Sequence, residues 1–131
     1  PALNSLIIAP SNPFLSVAPI LAISSFKESL ANRNFPCIAI SPLVGSKAFK
    51  GPTAKIMTEL GYEISSFAVA SYYSSNLIDA IIIDSTDIDV VSRIEDLGIK
   101  VFTTDISMHT LEDKIRLGQH VVSCIESMQK R

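Results

Sequence analysis

The run Ala80-Ile81-Ile82-Ile83-Asp84 decides the class of the fold. Its apolar residues follow one another without the alternation that a half-exposed strand would show. A short run of this kind reads as a strand buried on both faces, as in a parallel sheet with helices above and below. Asp84 ends it. Thr86 and Asp89 then stand at capping-box spacing, with Asp in place of Glu, ahead of a helical pattern at Ile88, Val91, Ile94 and Leu97. Gly98 stops that helix, and Lys100–Thr104 reads as the next strand, ending at Asp105. Thr110 and Asp113 repeat the capping arrangement. The final helix is expected to run through Leu111, Ile115, Gly118, Val122 and Ile125, with Lys130 and Arg131 where positive charge suits a helix C-terminus.

Toward the N-terminus the same alternation appears. Leu3–Ala9 is a near-continuous apolar run, expected to be buried on both faces and ended by the turn signal Pro10-Ser11-Asn12-Pro13. A helix is predicted from Val17 through Ile20, Leu21, Ile23, Phe26 and Leu30, with Pro19 in its first turn and Asn32 and Asn34 closing it. Cys37–Ile40 is a second buried strand. The loop Ser41-Pro42-Leu43-Val44-Gly45-Ser46-Lys47-Ala48-Phe49-Lys50-Gly51-Pro52 leads from it to a helix at Ala54, Met57 and Leu60 that Gly61 ends. Glu63-Ile64 reads as one short extended segment, and Ser65 or Ser66 caps a brief helix through Phe67, Ala70 and Tyr73. Strands alternating with helices predict an α/β fold: a Rossmann-like open parallel sheet with helices on both faces, as a single domain over residues 1–131. Strand order is left open.

Composition narrows the function. A chain of 131 residues that is 47% hydrophobic can bury a core, and its mean hydropathy of +0.35 argues against disorder. The net charge of −2 and the absence of Trp argue against a nucleic-acid surface. Neither a membrane-spanning run nor a signal peptide is visible, so a cytoplasmic location is expected. Cys37 and Cys124 lack zinc-ligand spacing and read as small buried apolar residues.

In open α/β sheets ligands bind beyond the carboxyl ends of the strands. The unusual residues fall there: Ser11, Asn12, Pro13 and Ser16 after the first strand, and Ser41, Pro42, Gly45, Lys47, Lys50 and Gly51 after the second. Asp84-Ser85-Thr86-Asp87 follows the Ile-rich strand, and Asp105 with Ser107 and His109 follows the last. Glycines and lysines in a strand-to-helix loop suit phosphate. The order Gly45-Ser46-Lys47-Ala48 is not that of a Walker A loop, and no Gly-x-Gly-x-x-Gly is present. Each group also has a plain structural reading: a turn at Asn12-Pro13, solvated lysines, helix caps at Asp84, Thr86 and Asp89, a turn at Asp105 and a surface position for His109. His120 reads as structural, and of Tyr72 and Tyr73 one ring is expected to pack inward. No metal constellation appears.

Ser11-Asn12-Pro13-x-x-Ser16 running to Pro19-Ile20-Leu21, Ser41-Pro42-x-Val44-Gly45-x-Lys47-Ala48-x-Lys50-Gly51-Pro52 and Leu60-Gly61 together resemble the 2-phospho-L-lactate transferase family. Tyr72-Tyr73, Leu77-Ile78-Asp79, Ile83-Asp84 and Thr104-Asp105-x-x-Met108-x-Thr110-x-Glu112-Asp113-Lys114 continue the resemblance in register, and it covers nearly the whole chain as the carboxy-terminal portion of such a protein. Ser46 stands where the family usually has a second glycine, and Ala18 where it often has one.

The resemblance implies a role in building the deazaflavin coenzyme F-420. A phospholactyl group (phosphoenolpyruvyl in bacteria) moves from a GDP-linked donor to the hydroxyl of a deazaflavin precursor, releasing GMP with Mg2+ present. It further implies that Ser11, Asn12, Pro13, Ser16, Ser41, Pro42, Gly45, Lys47, Lys50, Gly51 and Asp105 serve the donor's nucleotide and phosphates. Catalytic groups and metal ligands are expected in an amino-terminal part outside this chain, and a homodimer is a further implication. The competing expectation is a non-catalytic nucleotide- or phosphosugar-binding regulatory module related to gluconeogenesis factor. A third is an interaction domain that binds no small molecule.

Overall fold

The computed structural model describes residues 3–48 and 51–129. Along the chain it forms β1 (Leu6–Ile8), α1 (Ala18–Leu21), α2 (Ser24–Ala31), β2 (Cys37–Ile40), β3 (Leu43–Val44), β4 (Lys47–Ala48), α3 (Thr53–Glu59), α4 (Ser66–Leu77), β5 (Ala80–Asp84), α5 (Val91–Glu95), β6 (Lys100–Thr104) and α6 (Leu111–Gln129). β1, β2, β5 and β6 pair in that order as one parallel sheet.

The register sets Ile38 beside Ala80 and Ala39 beside Ile81, so side chains of one parity line up across the sheet. Cys37, Ala39, Ile81 and Ile83 meet Met57, Val69, Ala70, Tyr73 and Ile94 from α3, α4 and α5. Ile38, Ile40, Ala80 and Ile82 meet Leu117, Val121, Cys124 and Ile125 of α6 on the opposite face. This is the α/β Rossmann-like arrangement that the residue pattern predicts. Because the strands are added in one direction, right-handed crossovers place successive connecting helices on one face. α6 follows the last strand and closes the other. Each isoleucine buried this way contributes about 1.5–3 kcal/mol relative to exposure.

Several expectations are corrected. The first strand spans three residues rather than the whole run from Leu3, and Ile7 is 45% exposed. β1 is an edge strand paired only with β2, and α6 packs over the strands further in. The helix predicted from Val17 is divided. A wide π-type turn over Pro13–Val17 leads into α1, and this segment meets α2 at 92°. Pro19 has no N–H for a helix interior, Ile23 is extended, and Ser24 and Ser25, which favour caps, stand at the break. Ile20, Ile23 and Phe26 are exposed in consequence.

The last helix presents a different face from the one expected. Leu117, Val121, Cys124 and Ile125 are buried, whereas Leu111, Ile115 and Val122 are exposed. Glu63-Ile64 forms no strand, and Ser65 caps a three-turn α4 by accepting from the Ala68 N–H. Thr86 and Asp89 do not form a capping box. Asp84 caps instead, and Ser85–Val90 is a 3-10 turn ahead of α5. The Thr110/Asp113 box is present in both directions. The loop after β2 contains the antiparallel hairpin β3–β4, which the residue pattern does not reveal. Lys50, with Phe49, and the terminal Lys130 and Arg131 lie outside the described residues. Among the described residues no single helix is long and apolar enough to cross a membrane.

Candidate functional site

At the carboxyl ends of the strands the loops after β1, β2 and β6 enclose a cleft of about 610 Å³, within the size range of ligand pockets. Ser11, Asn12 and Ser16 line it from the first loop, Pro42 and Gly51 from the second. Five of the residues expected at the site thus line one cleft, together with Thr53, Met108, His109 and Lys114. Two clefts of about 580 and 570 Å³ lie at the other end of the sheet, around Asp79. There Asp79 is already engaged by Arg33 at 2.9 Å and by the Cys37 N–H at 2.8 Å. Volume does not separate the three, but the sheet-end rule does.

Asn12 is the best-defined group in the cleft. Its Oδ1 accepts from the Phe14 N–H at 2.9 Å and the Leu15 N–H at 3.1 Å, capping the turn that follows. Those two donors fix which end of the amide is oxygen. Its Nδ2 is buried and has no hydrogen-bond partner among the described residues. A buried donor without an acceptor costs about 1–3 kcal/mol, which an acceptor on a ligand can return. Ser11 donates its hydroxyl to the Ala9 carbonyl at 2.8 Å, and Pro13 is buried behind Asn12.

Ser41, Gly45, Lys47 and Asp105 do not line the cleft, and Lys50 lies outside the described residues. Ser41 is fully buried, its hydroxyl 2.7 Å from that of Ser66 and accepting from the Leu43 N–H at 3.1 Å, so it supports the loop from beneath. Gly45 turns the hairpin with φ +60°. Its N–H is held by both carboxylate oxygens of Asp87, at 3.1 and 3.0 Å. Lys47 is exposed on β4 and does not line the cleft. Asp105 is exposed and turns its carboxylate onto the Ser107 N–H at 2.9 Å. That bond holds its pKa below the usual carboxylate range.

The other rim carboxylates serve the backbone too. Asp84 is 5% exposed. Its Oδ2 accepts from the Thr86 N–H at 3.0 Å and hydroxyl at 2.7 Å, and its Oδ1 from the Ile106 N–H at 3.2 Å. Burial pushes its pKa up, but these bonds outweigh it and the net shift is downward. Asp113 accepts from the His109 and Thr110 N–H groups, which lowers its pKa. Among the described residues no three His, Cys, Asp or Glu side chains come together as metal ligands. Mg2+ requires oxygen ligands, commonly carboxylates. The described part of the cleft lining contains none, so it does not fit that ion.

The β6–α6 wall, with Met108, His109 and Lys114, is what residue-by-residue reading assigned least well. Lys114 carried no role there, and His109 read as a surface residue. The available signal was position, since both flank a capping box at a strand's carboxyl end.

The family model of 2-phospho-L-lactate transferase CofD matches residues 3–122. The 2-phospho-L-lactate transferase of Methanocaldococcus jannaschii is 34% identical over 122 residues, covering 93% of this chain and 37% of that protein. That of Methanothermobacter thermautotrophicus is 38% identical over 116 residues, 88% of this chain and 37% of the relative. The phosphoenolpyruvate transferase of Streptomyces coelicolor is 28% identical over 125 residues, 95% of this chain and 39% of the relative. The chain thus spans little more than a third of the length of these curated relatives.

Proposed function

The chain belongs to the 2-phospho-L-lactate transferase CofD family, and on that premise we propose that it forms the donor-binding part of such a transferase. The reaction is transfer of a phospholactyl or phosphoenolpyruvyl group from a GDP-linked donor to a deazaflavin precursor, with release of GMP. Transfer at phosphorus is governed by positioning and charge neutralisation. The role of this chain is to hold the nucleotide diphosphate; the Mg2+ that the reaction uses is held outside the cleft described here.

The observation that carries this reading is the buried Nδ2 of Asn12, unpartnered among the described residues, on a residue that lines a cleft at the carboxyl end of a parallel sheet with no carboxylate among its described residues. A phosphate oxygen is the acceptor such a donor lacks.

Asn12→Asp tests it cleanly. The carboxylate still caps the Phe14 and Leu15 N–H groups, but the donor is replaced by a negative oxygen. A hydrogen bond to a charged group is worth about 1.5–3 kcal/mol, so GDP affinity measured by calorimetry should fall at least roughly tenfold, while urea titration reports separately what the buried charge costs the fold. Unchanged GDP affinity in Asn12→Asp, or no GDP binding by the unmodified chain, refutes the assignment.

A further inference from the structure

Two pairs of backbone N–H groups on the rim, and the single N–H of Gly45, are already taken by the chain's own side chains. Asn12 Oδ1 takes Phe14 and Leu15, Asp87 takes Gly45, and Asp113 takes His109 and Thr110. An anion entering the cleft must therefore find its positive charge on a side chain. Among the described residues lining the cleft, Lys114 is the sole lysine or arginine, and no aspartate or glutamate is present. Lys114 forms no ion pair with any described residue. It sits in the first turn of α6, whose start is fixed by the Thr110/Asp113 box. That turn is tied to the sheet through Asp84, which holds the Ile106 N–H at the end of β6. Lys47 is on the hairpin, outside the lining.

We infer that Lys114, facing Asn12 across the strand ends, is the cation that binds the phosphate oxyanion in this cleft. The inference rests on the donor-binding reading and sharpens it. The diphosphate is held between the β1 loop and the start of α6, with Ser16 and His109 as further polar contacts, rather than by the lysine on the hairpin. An ammonium group supplies a mobile point charge with three donors, which suits a phosphate whose oxygens also engage an amide.

The test titrates GDP, guanosine and inorganic pyrophosphate into the unmodified chain and into Lys114→Met, Lys114→Arg and Lys47→Ala. Lys114→Met is expected to weaken GDP and pyrophosphate at least tenfold, to leave guanosine unchanged and to flatten the salt dependence of GDP binding. Lys114→Arg should retain most of the affinity, and Lys47→Ala should lose less than Lys114→Met. Unchanged urea midpoints show that each variant remains folded. If the unmodified chain binds GDP and Lys114→Met binds it equally well, this inference is overturned while the donor-binding reading stands. Guanosine weakened as much as GDP also overturns it. Pyrophosphate binding without GDP binding supports an oxyanion cleft and overturns the nucleotide reading. If none of the three ligands binds, both fall.

Discussion

Replacing Asp84 should reveal how the site's far wall is held. The carboxylate is 5% exposed and divides its oxygens, Oδ2 to the Thr86 N–H and hydroxyl, Oδ1 to the Ile106 N–H. In Asp84→Asn only one side keeps an acceptor. The oxygen can stay with Thr86, but the NH2 group then faces the N–H of Ile106, a residue that is fully buried. An unsatisfied buried donor costs about 1–3 kcal/mol, so a loss of about 2 kcal/mol is expected at neutral pH. With a urea slope of roughly 1.5 kcal/mol per M, the midpoint should fall by about 1.3 M. Asp84→Ala strands the donors on both sides and should cost about 3–4 kcal/mol.

The acid dependence supplies a second reading of the same bonds. The folded-state pKa of Asp84 lies below its ordinary value. Its ionised form therefore adds stability in full above the unfolded carboxylate pKa of about 4. That contribution is lost as pH falls through the folded value. The gap between the unmodified chain and Asp84→Asn should accordingly narrow on acidification below about pH 4. Urea titrations at a series of pH values measure both effects. Equal midpoints at pH 7, or a gap that stays constant into acid, would refute the reasoning.

Other substitutions address separate parts of the molecule. Arg33 is 7% exposed and donates to the Leu30 and Asn76 carbonyls at 2.8 and 3.1 Å while pairing with Asp79. Arg33→Ala should cost about 2–3 kcal/mol in urea titration, mostly from the two carbonyls, because Asp79 is partly solvated. Asp87→Ala should release Gly45 and the hairpin. Trypsin should then cut after Lys47 several times faster, with the global midpoint moving by less than about 1 kcal/mol, as expected for an exposed contact. Burial raises the Cys37 thiol pKa to about 11 and that of Cys124 upward as well. Neither thiol should react appreciably with a disulfide reagent at pH 8 until the chain is unfolded, because the thiolate is the nucleophile.

Cys37–Ile40, Ala80–Asp84 and Lys100–Thr104 were legible from the residues alone. β2 and β5 are apolar without alternation because both their faces are covered, and turn or cap residues bound all three strands. The Thr110/Asp113 box was legible for the same local reason: a cap depends on residues three apart. The motifs that resemble the family, from Asn12-Pro13 to Asp113-Lys114, likewise lie in the linear order. Burial faces and loop conformations did not. α6 carries two apolar stripes with helical spacing, and only the sheet opposite decides that Leu117, Val121 and Cys124 are covered rather than Leu111, Ile115 and Val122. Ile7 belongs to an apolar run yet is half-exposed, because an edge strand has a neighbour on one side only. Gly45 and Lys47 read as a phosphate loop, but the hairpin they form is held by Asp87, 42 residues away. The donor left open on Asn12 follows from where its cap turns the amide. Lys114, which lines the same cleft, comes from the other end of the chain, and residues so far apart in sequence share a cleft only once the sheet has brought the strand ends together.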